Sequence, residues 1–160
     1  MQNPATELIA LLKGKHLSIG TVESATGGLI ANLLTDVPGS SDVYIGSVIS
    51  YRNDIKNRIV GVKQATLKHY GAVSAQVAEE MAAGGRELLG VDICVADTGI
   101  AGPSGAIPGK PVGLFYLGLS TKDRVSSRKC IFSGSREENK LNAAITALDW
   151  VCVSIVNATD

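Results

Sequence analysis

An apolar run over residues 17–22 feeds directly into Glu23-Ser24-Ala25-Thr26-Gly27-Gly28, and Leu29-Ile30-Ala31-Asn32-Leu33-Leu34 follows. A buried strand, a small-residue turn and a helix in immediate succession leave few foldings open, because such a strand needs cover on both faces and a helix supplies one of them. The turn also has chemistry available. Its glycines let the backbone approach a ligand closely. The first N–H groups of a helix lack internal partners and carry partial positive charge, which favours an anion or a carbonyl oxygen becoming one. On this reading the N–H groups from Ala25 to Gly28 are candidates to hold an oxyanion, and Ser24 stands where its hydroxyl meets the same ligand. The same residues also read as plain caps, with Ser24 or Thr26 satisfying the orphan N–H groups.

The remaining pattern repeats this alternation. A short amphipathic helix is expected over residues 4–13, with Thr6 as its cap and Leu8, Leu11 and Leu12 on its apolar side. A strand is expected over 43–51, bulged at Gly46. A short helix starts at Asn53 or Asp54, and another turn or two covers 63–69. The clearest helix is 74–89, carrying Val77, Met81 and Leu88 at helical spacing. Its Gly84-Gly85 pair weakens it intrinsically and fits close packing against another element. Residues 91–96 read as a buried strand, 112–121 and 124–132 as a hairpin around Lys122-Asp123. The last helix spans 137–156, with Leu141, Ile145, Leu148, Cys152 and Ile155 as its buried stripe. The fold class is therefore α/β, one three-layer domain over 1–160, with a mixed, mostly parallel sheet and helices on both faces.

Composition narrows the function. Fifteen basic residues balance fifteen acidic ones, which argues against nucleic acid or an anionic membrane surface as partner. No apolar run is long enough to span a bilayer, and the first 15 residues do not read as a secretory signal. Cys94, Cys130 and Cys152 have no CxxC spacing and apolar neighbours, the mark of free thiols in a reducing cytoplasm. His16 and His69 have no second ligand at a metal-site spacing, so neither a metal nor another cofactor is expected.

A second glycine-rich loop, Asp97-Thr98-Gly99-Ile100-Ala101-Gly102-Pro103-Ser104-Gly105, follows the 91–96 strand. It matches neither a dinucleotide fingerprint nor a P-loop. In α/β sheets, ligands gather beyond the carboxyl ends of strands, where both loops fall. Set in order, Glu23 to Gly28, Val37-Pro38-Gly39-Ser40-Ser41, Tyr51 with Asn53 and Lys56, Gly71-Ala72-Val73-Ser74, Thr98 to Pro103, Lys110-Pro111-Val112-Gly113 and Phe132-Ser133-Gly134-Ser135-Arg136 form a specific series. The series resembles the CinA C-terminal domain family, the nicotinamide-nucleotide amidohydrolases, over nearly the whole chain, from about Leu8 to Val151.

The resemblance implies hydrolysis of the carboxamide of nicotinamide mononucleotide to nicotinate mononucleotide and ammonia. It implies a stand-alone form, since the chain is too short for the N-terminal partner domain of some relatives, and a homodimer acting on a small pyridine mononucleotide. Matched by position, Ser24 is the nucleophile and Tyr51 and Lys56 are its activating pair. Ala25, Thr26, Gly27, Gly28, Thr98, Gly99, Gly102 and Arg136 fall at the substrate. The chain departs from the pattern at Ala25, where many relatives carry Cys, and at Asp97, where they more often have an uncharged residue. A carboxylate near a phosphate opposes binding, so Asp97 is expected to point away, paired with a base or exposed. The chemistry is consistent with this pattern: with no histidine in a triad setting, a serine nucleophile needs another base, and a lysine serves if desolvation lowers its pKa. A nucleotide- or protein-binding module without catalysis is the alternative on the same loops.

Overall fold

The computed structural model describes residues 3–158; the outermost residues of the expected 1–160 domain lie outside that range. The strands are β1 (Ile19–Glu23), β2 (Tyr44–Ile49), β3 (Ile93–Gly99), β4 (Leu114–Ser120) and β5 (Val125–Ile131). They form one mixed sheet in the order β2-β1-β3-β4-β5. β1 runs parallel to both β2 and β3, whereas β4 is antiparallel to β3 and β5 to β4. Four strands thus point one way and β4 alone runs against them. One edge therefore collects the carboxyl ends of β1, β2, β3 and β5 together with the start of β4, and the segments that follow Glu23, Ile49, Gly99 and Ile131 converge there.

The helices are α1 (Pro4–Lys15), α2 (Leu29–Thr35), α3 (Asn53–Arg58), α4 (Gln64–Tyr70), α5 (Ala75–Leu89) and α6 (Arg136–Asn157). On one sheet face Leu8 and Leu12 of α1, Ile30 and Leu34 of α2, and Ala144, Leu148 and Val151 of α6 pack on Ile19, Val95, Leu117 and Leu119. On the other, Val77, Met81 and Ala82 of α5 pack with Val60 and Val62 against Val22, Cys94 and Ala96. Successive residues of β1 and β3 therefore enter opposite cores, and β1 is buried at all five positions.

Local chemistry accounts for the boundaries. Asn3, not Thr6, caps α1 by accepting from the Ala5 N–H, ahead of a proline at the first helical position. Ser74 caps α5, and Gly90 closes it in the left-handed conformation. Ser135 and Glu138 form a reciprocal capping box on α6. The β1–β2 register slips between Tyr44 and Gly46, the bulge anticipated there. Two helix faces differ from the expected ones. Leu141 and Leu88 are exposed, because α6 presents Ala143, Ala144 and Ala147 to the sheet and α5 presents Ala78, Ala82 and Gly85. Small residues bring the layers closer than leucines would. The three cysteines are free: Cys94 is buried, and Cys130 and Cys152 are half-buried. No helix among the described residues is long and apolar enough to cross a membrane.

The Gly84-Gly85 pair brings α5 very close to its neighbours. A Cβ on Gly84 would lie 1.7 Å from the Val60 carbonyl oxygen, and one on Gly85 would lie 2.1 Å from Val22 Cγ2. Gly84→Ala gains about 1 kcal/mol of helix propensity but overpacks against backbone, which costs roughly 1–3 kcal/mol. The clash is severe enough that net destabilisation is expected, read as a lower urea midpoint at unchanged m-value. A variant as stable as the parent would show that the Val60 turn yields freely.

Candidate active site

The converging segments enclose a cleft of about 250 Å³ whose wall includes Ser24, Ala25, Tyr51, Asn53, Lys56, Thr98, Gly99, Gly102 and Arg136. Ser24 follows β1 at the start of the turn and is buried. Lys56 lies on α3, one helical turn after the chain leaves β2, and is only 1 % exposed. Its Nζ lies 2.9 Å from Ser24 Oγ, 2.8 Å from the Ser50 carbonyl oxygen and 3.0 Å from the Tyr51 carbonyl oxygen. Burial takes the amine down from its ordinary 10.5 to about 8, against the opposing pull of Asp97. A neutral amine that donates its two hydrogens to the two carbonyls has its lone pair left for the Ser24 hydroxyl. The candidate nucleophile and the candidate base are thus within hydrogen-bond reach of each other.

The turn itself is held from beneath by two carboxylates. Glu23, fully buried, accepts from the N–H groups of Gly28, Ile30 and Ala31 at 2.9–3.1 Å. It is therefore Glu23, and neither Ser24 nor Thr26, that satisfies the start of α2, with left-handed Gly28 at the N-cap position. Asp97, also fully buried, accepts from the N–H of Ser24 at 3.0 Å and of Thr26 at 3.2 Å. Asp97 is neither exposed nor hydrogen-bonded to a base, and it lies outside the cleft wall. Desolvation pushes its carboxyl from 3.8 up to about 6, while the hydrogen bonds from Thr26 and Ser24 pull it down.

This arrangement reduces the oxyanion candidates to one. The Gly28 N–H is taken by Glu23, the Thr26 N–H by Asp97 and the Gly27 N–H by the Ser24 carbonyl. Ala25 belongs to the cleft wall, and its N–H, between the two that bond Asp97, has no hydrogen-bond partner among the described residues. Thr26, Gly27 and Gly28 themselves are not part of that wall; they shape the turn, and the positive φ of Gly27 and Gly28 (62° and 103°) is what they contribute.

Other expected site residues take different roles from those their types suggest. Tyr51 is 60 % exposed and meets Lys56 through its carbonyl, so its phenol is no relay between Lys56 and Ser24. Among the described residues its hydroxyl is approached only by Arg136, at 3.4 Å. Arg136, the first residue of α6, donates to the Gly102 carbonyl at 2.7 Å and forms no ion pair with Glu137 or Glu138. Arg52, just before α3, pairs with Asp54. Thr98 is buried and donates to the Ala72 carbonyl at 2.7 Å, stitching the 71–74 loop to the end of β3. Asn139 of α6 ties Ala101 and Gly134 together in the same way. Glu23 and Asn139 escape sequence reasoning: a carboxylate ending an apolar strand signals a buried acceptor, but not which N–H groups it meets. No cluster of metal-ligating side chains is present among the described residues.

The sequence matches the family model of the CinA C-terminal domain over residues 1–155. The chain belongs to that family. The CinA-like protein of Thermotoga neapolitana is 44 % identical over 142 residues, covering 89 % of this chain and 35 % of that protein. That of Thermotoga maritima is 42 % identical over the same shares. The chain thus spans about a third of the length of these relatives. Among solved structures, the competence/damage inducible protein CihA of Agrobacterium tumefaciens superposes with a TM-score of 0.91 at 37 % identity, over 95 % of this chain and 93 % of that one. A CinA superfamily protein of Klebsiella pneumoniae gives 0.95 at 25 % identity, over 98 % and 99 %.

The buried amine has a thermodynamic signature independent of turnover. Lys56 binds its proton less tightly folded than unfolded, so between pH 8 and 10.5 the unfolded chain holds more protons and stability rises with pH. The rise is on the order of 3 kcal/mol, at about 1.4 kcal/mol per pH unit. Urea denaturation across that window should show wild-type stability climbing relative to Lys56→Met, with parallel curves below pH 8. Parallel curves throughout would mean that Lys56 is solvated.

Proposed function

We propose that this chain hydrolyses the carboxamide of nicotinamide mononucleotide, giving nicotinate mononucleotide and ammonia. The observation that carries this reading is the contact of Lys56 Nζ with Ser24 Oγ at 2.9 Å, with the amine's other two contacts both to carbonyls. Lys56 takes the Ser24 proton as Oγ attacks the carboxamide carbon. The oxygen that gains charge is stabilised by the Ala25 N–H. Lys56 returns the proton to the departing nitrogen, ammonia leaves, and Ser24 is held as an ester. Water, deprotonated by Lys56, attacks that ester, and the proton goes back to Ser24 Oγ. Atoms balance with one water consumed, and no metal is called on.

The phosphate falls to Arg136 at the rim. One guanidinium nitrogen is tied to Gly102 and the other terminal one approaches the Tyr51 hydroxyl, which orients the fork, and its remaining N–H donors serve phosphate oxygens. The Ile100 N–H is already bonded to Leu114, so the loop offers the N–H groups of Ala101 and Gly102 instead.

Ammonia release from nicotinamide mononucleotide by the purified chain tests the reading. Ser24→Ala should lower kcat by about 10³ or more with binding retained. The acid limb of kcat/KM should fall near pH 8 for Lys56, and Lys56→Arg should not rescue because a guanidinium stays protonated. Nucleotide binding without ammonia at any pH would establish the binding-module alternative.

Arg136→Lys isolates the phosphate. It should raise KM for the mononucleotide more than it lowers kcat, and change little for the nucleoside, which has no phosphate to lose. Equal losses on both would remove Arg136 from that role.

A further inference from the structure

Thr26 lies between the two buried carboxylates. Its Oγ1 is 2.7 Å from Glu23 Oε1 and 2.5 Å from Asp97 Oδ1. A threonine hydroxyl has one hydrogen. If that hydrogen goes to one carboxylate, the other is an oxygen facing an oxygen at hydrogen-bond distance with nothing between them. Three buried oxygens in this row need two hydrogens, so one of the carboxyls must supply the second.

The surrounding donors decide which. Glu23 collects the three N–H groups of α2, and the Thr21 hydroxyl at 2.9 Å on Oε2. Because the Thr21 hydrogen is committed to Glu23, Ser47 donates to Thr21, and Tyr44, 2.6 Å away, donates to Ser47. Every hydroxyl along this row points its hydrogen inward at Glu23, which makes Glu23 the seat of the negative charge. Among the described residues Asp97 has only the N–H groups of Ser24 and Thr26 besides the Thr26 hydroxyl. We infer that Asp97 and Glu23 hold one proton between them across Thr26 Oγ1, carried on Asp97, and that this shared proton locks the turn that bears Ser24.

The groups around the pair set the context. Lys56 of α3 acts on Asp97 through its charge. From α6, Lys140 reaches the turn at Gly27 and Arg136 stands at the cleft rim. α2 has no charged residue, and the β4 partner of Asp97 is Leu117. The lock does not rest on the amidase reading.

The test is carboxyl ¹³C NMR on the uniformly labelled wild-type chain between pH 3 and 9, without substrate. Asp97 Cγ should titrate with a midpoint at least about 1.5 pH units above the ordinary ~3.9. The amide nitrogens of Ser24 and Thr26 should follow the same midpoint, and Glu23 Cδ should show a secondary inflection there, as a coupled pair requires. Thr26→Val should shrink that Glu23 inflection, and Thr26→Ser should restore it. An Asp97 midpoint near 3.9 overturns the inference, as does a Glu23 inflection unchanged in Thr26→Val. Should Thr26→Val fail to fold, the wild-type titration decides alone. Because no turnover is read, failure here and failure of the amidase reading are distinguishable.

Discussion

A lysine amine removed from water has to find acceptors or give up its charge, and Lys56 does both. Two backbone carbonyls, from Ser50 and Tyr51, receive its hydrogens, and desolvation lowers its proton affinity. Everything in the cleft depends on that placement. Without the carbonyls the amine would turn to solvent; without burial it would stay charged and could not accept from Ser24. The two acceptors exist because the chain leaves β2 and enters α3 within a few residues, so the carbonyls of the connection are not used up by either element. The helix then returns Lys56 to the segment it has just left.

The turn that carries Ser24 is built by a different device. Helix α2 is short, seven residues, and its first N–H groups would ordinarily bind a ligand or a capping hydroxyl. Here Glu23, at the end of the preceding strand, folds back to receive them. The turn is thereby tied to the sheet from below, and its ligand-facing capacity shrinks to the Ala25 N–H. Asp97 completes the arrangement from β3, on the side of the turn away from the cleft. The carboxylate that seemed to threaten phosphate binding thus lies behind the turn, where it holds the Ser24 and Thr26 N–H groups.

Sheet topology brings these parts to one place. With β1, β2, β3 and β5 all pointing the same way, loops far apart in sequence arrive at one edge, and Arg136 meets Tyr51 across 85 positions. Close packing, at Gly84 and Gly85 on one face and at the alanines of α6 on the other, sets the helices against the sheet that carries this edge.

The sequence by itself determined the succession of strands and helices, the two glycine-rich turns, the bulge at Gly46 and the family series from Glu23 to Arg136, because these rest on periodicity, turn chemistry and local order. It also singled out Ser24 and Lys56. It misjudged the faces of α5 and α6, since spacing favours large apolar residues and does not register how close two layers come; Leu88 and Leu141 are exposed for that reason. Only the tertiary structure decided that Glu23 caps α2, that Tyr51 serves through its carbonyl and not its phenol, and that Asp97 lies beneath Ser24. Each of these is a hydrogen bond between groups whose partners are set by backbone geometry, and residue type says how many such bonds a side chain can make but not with whom.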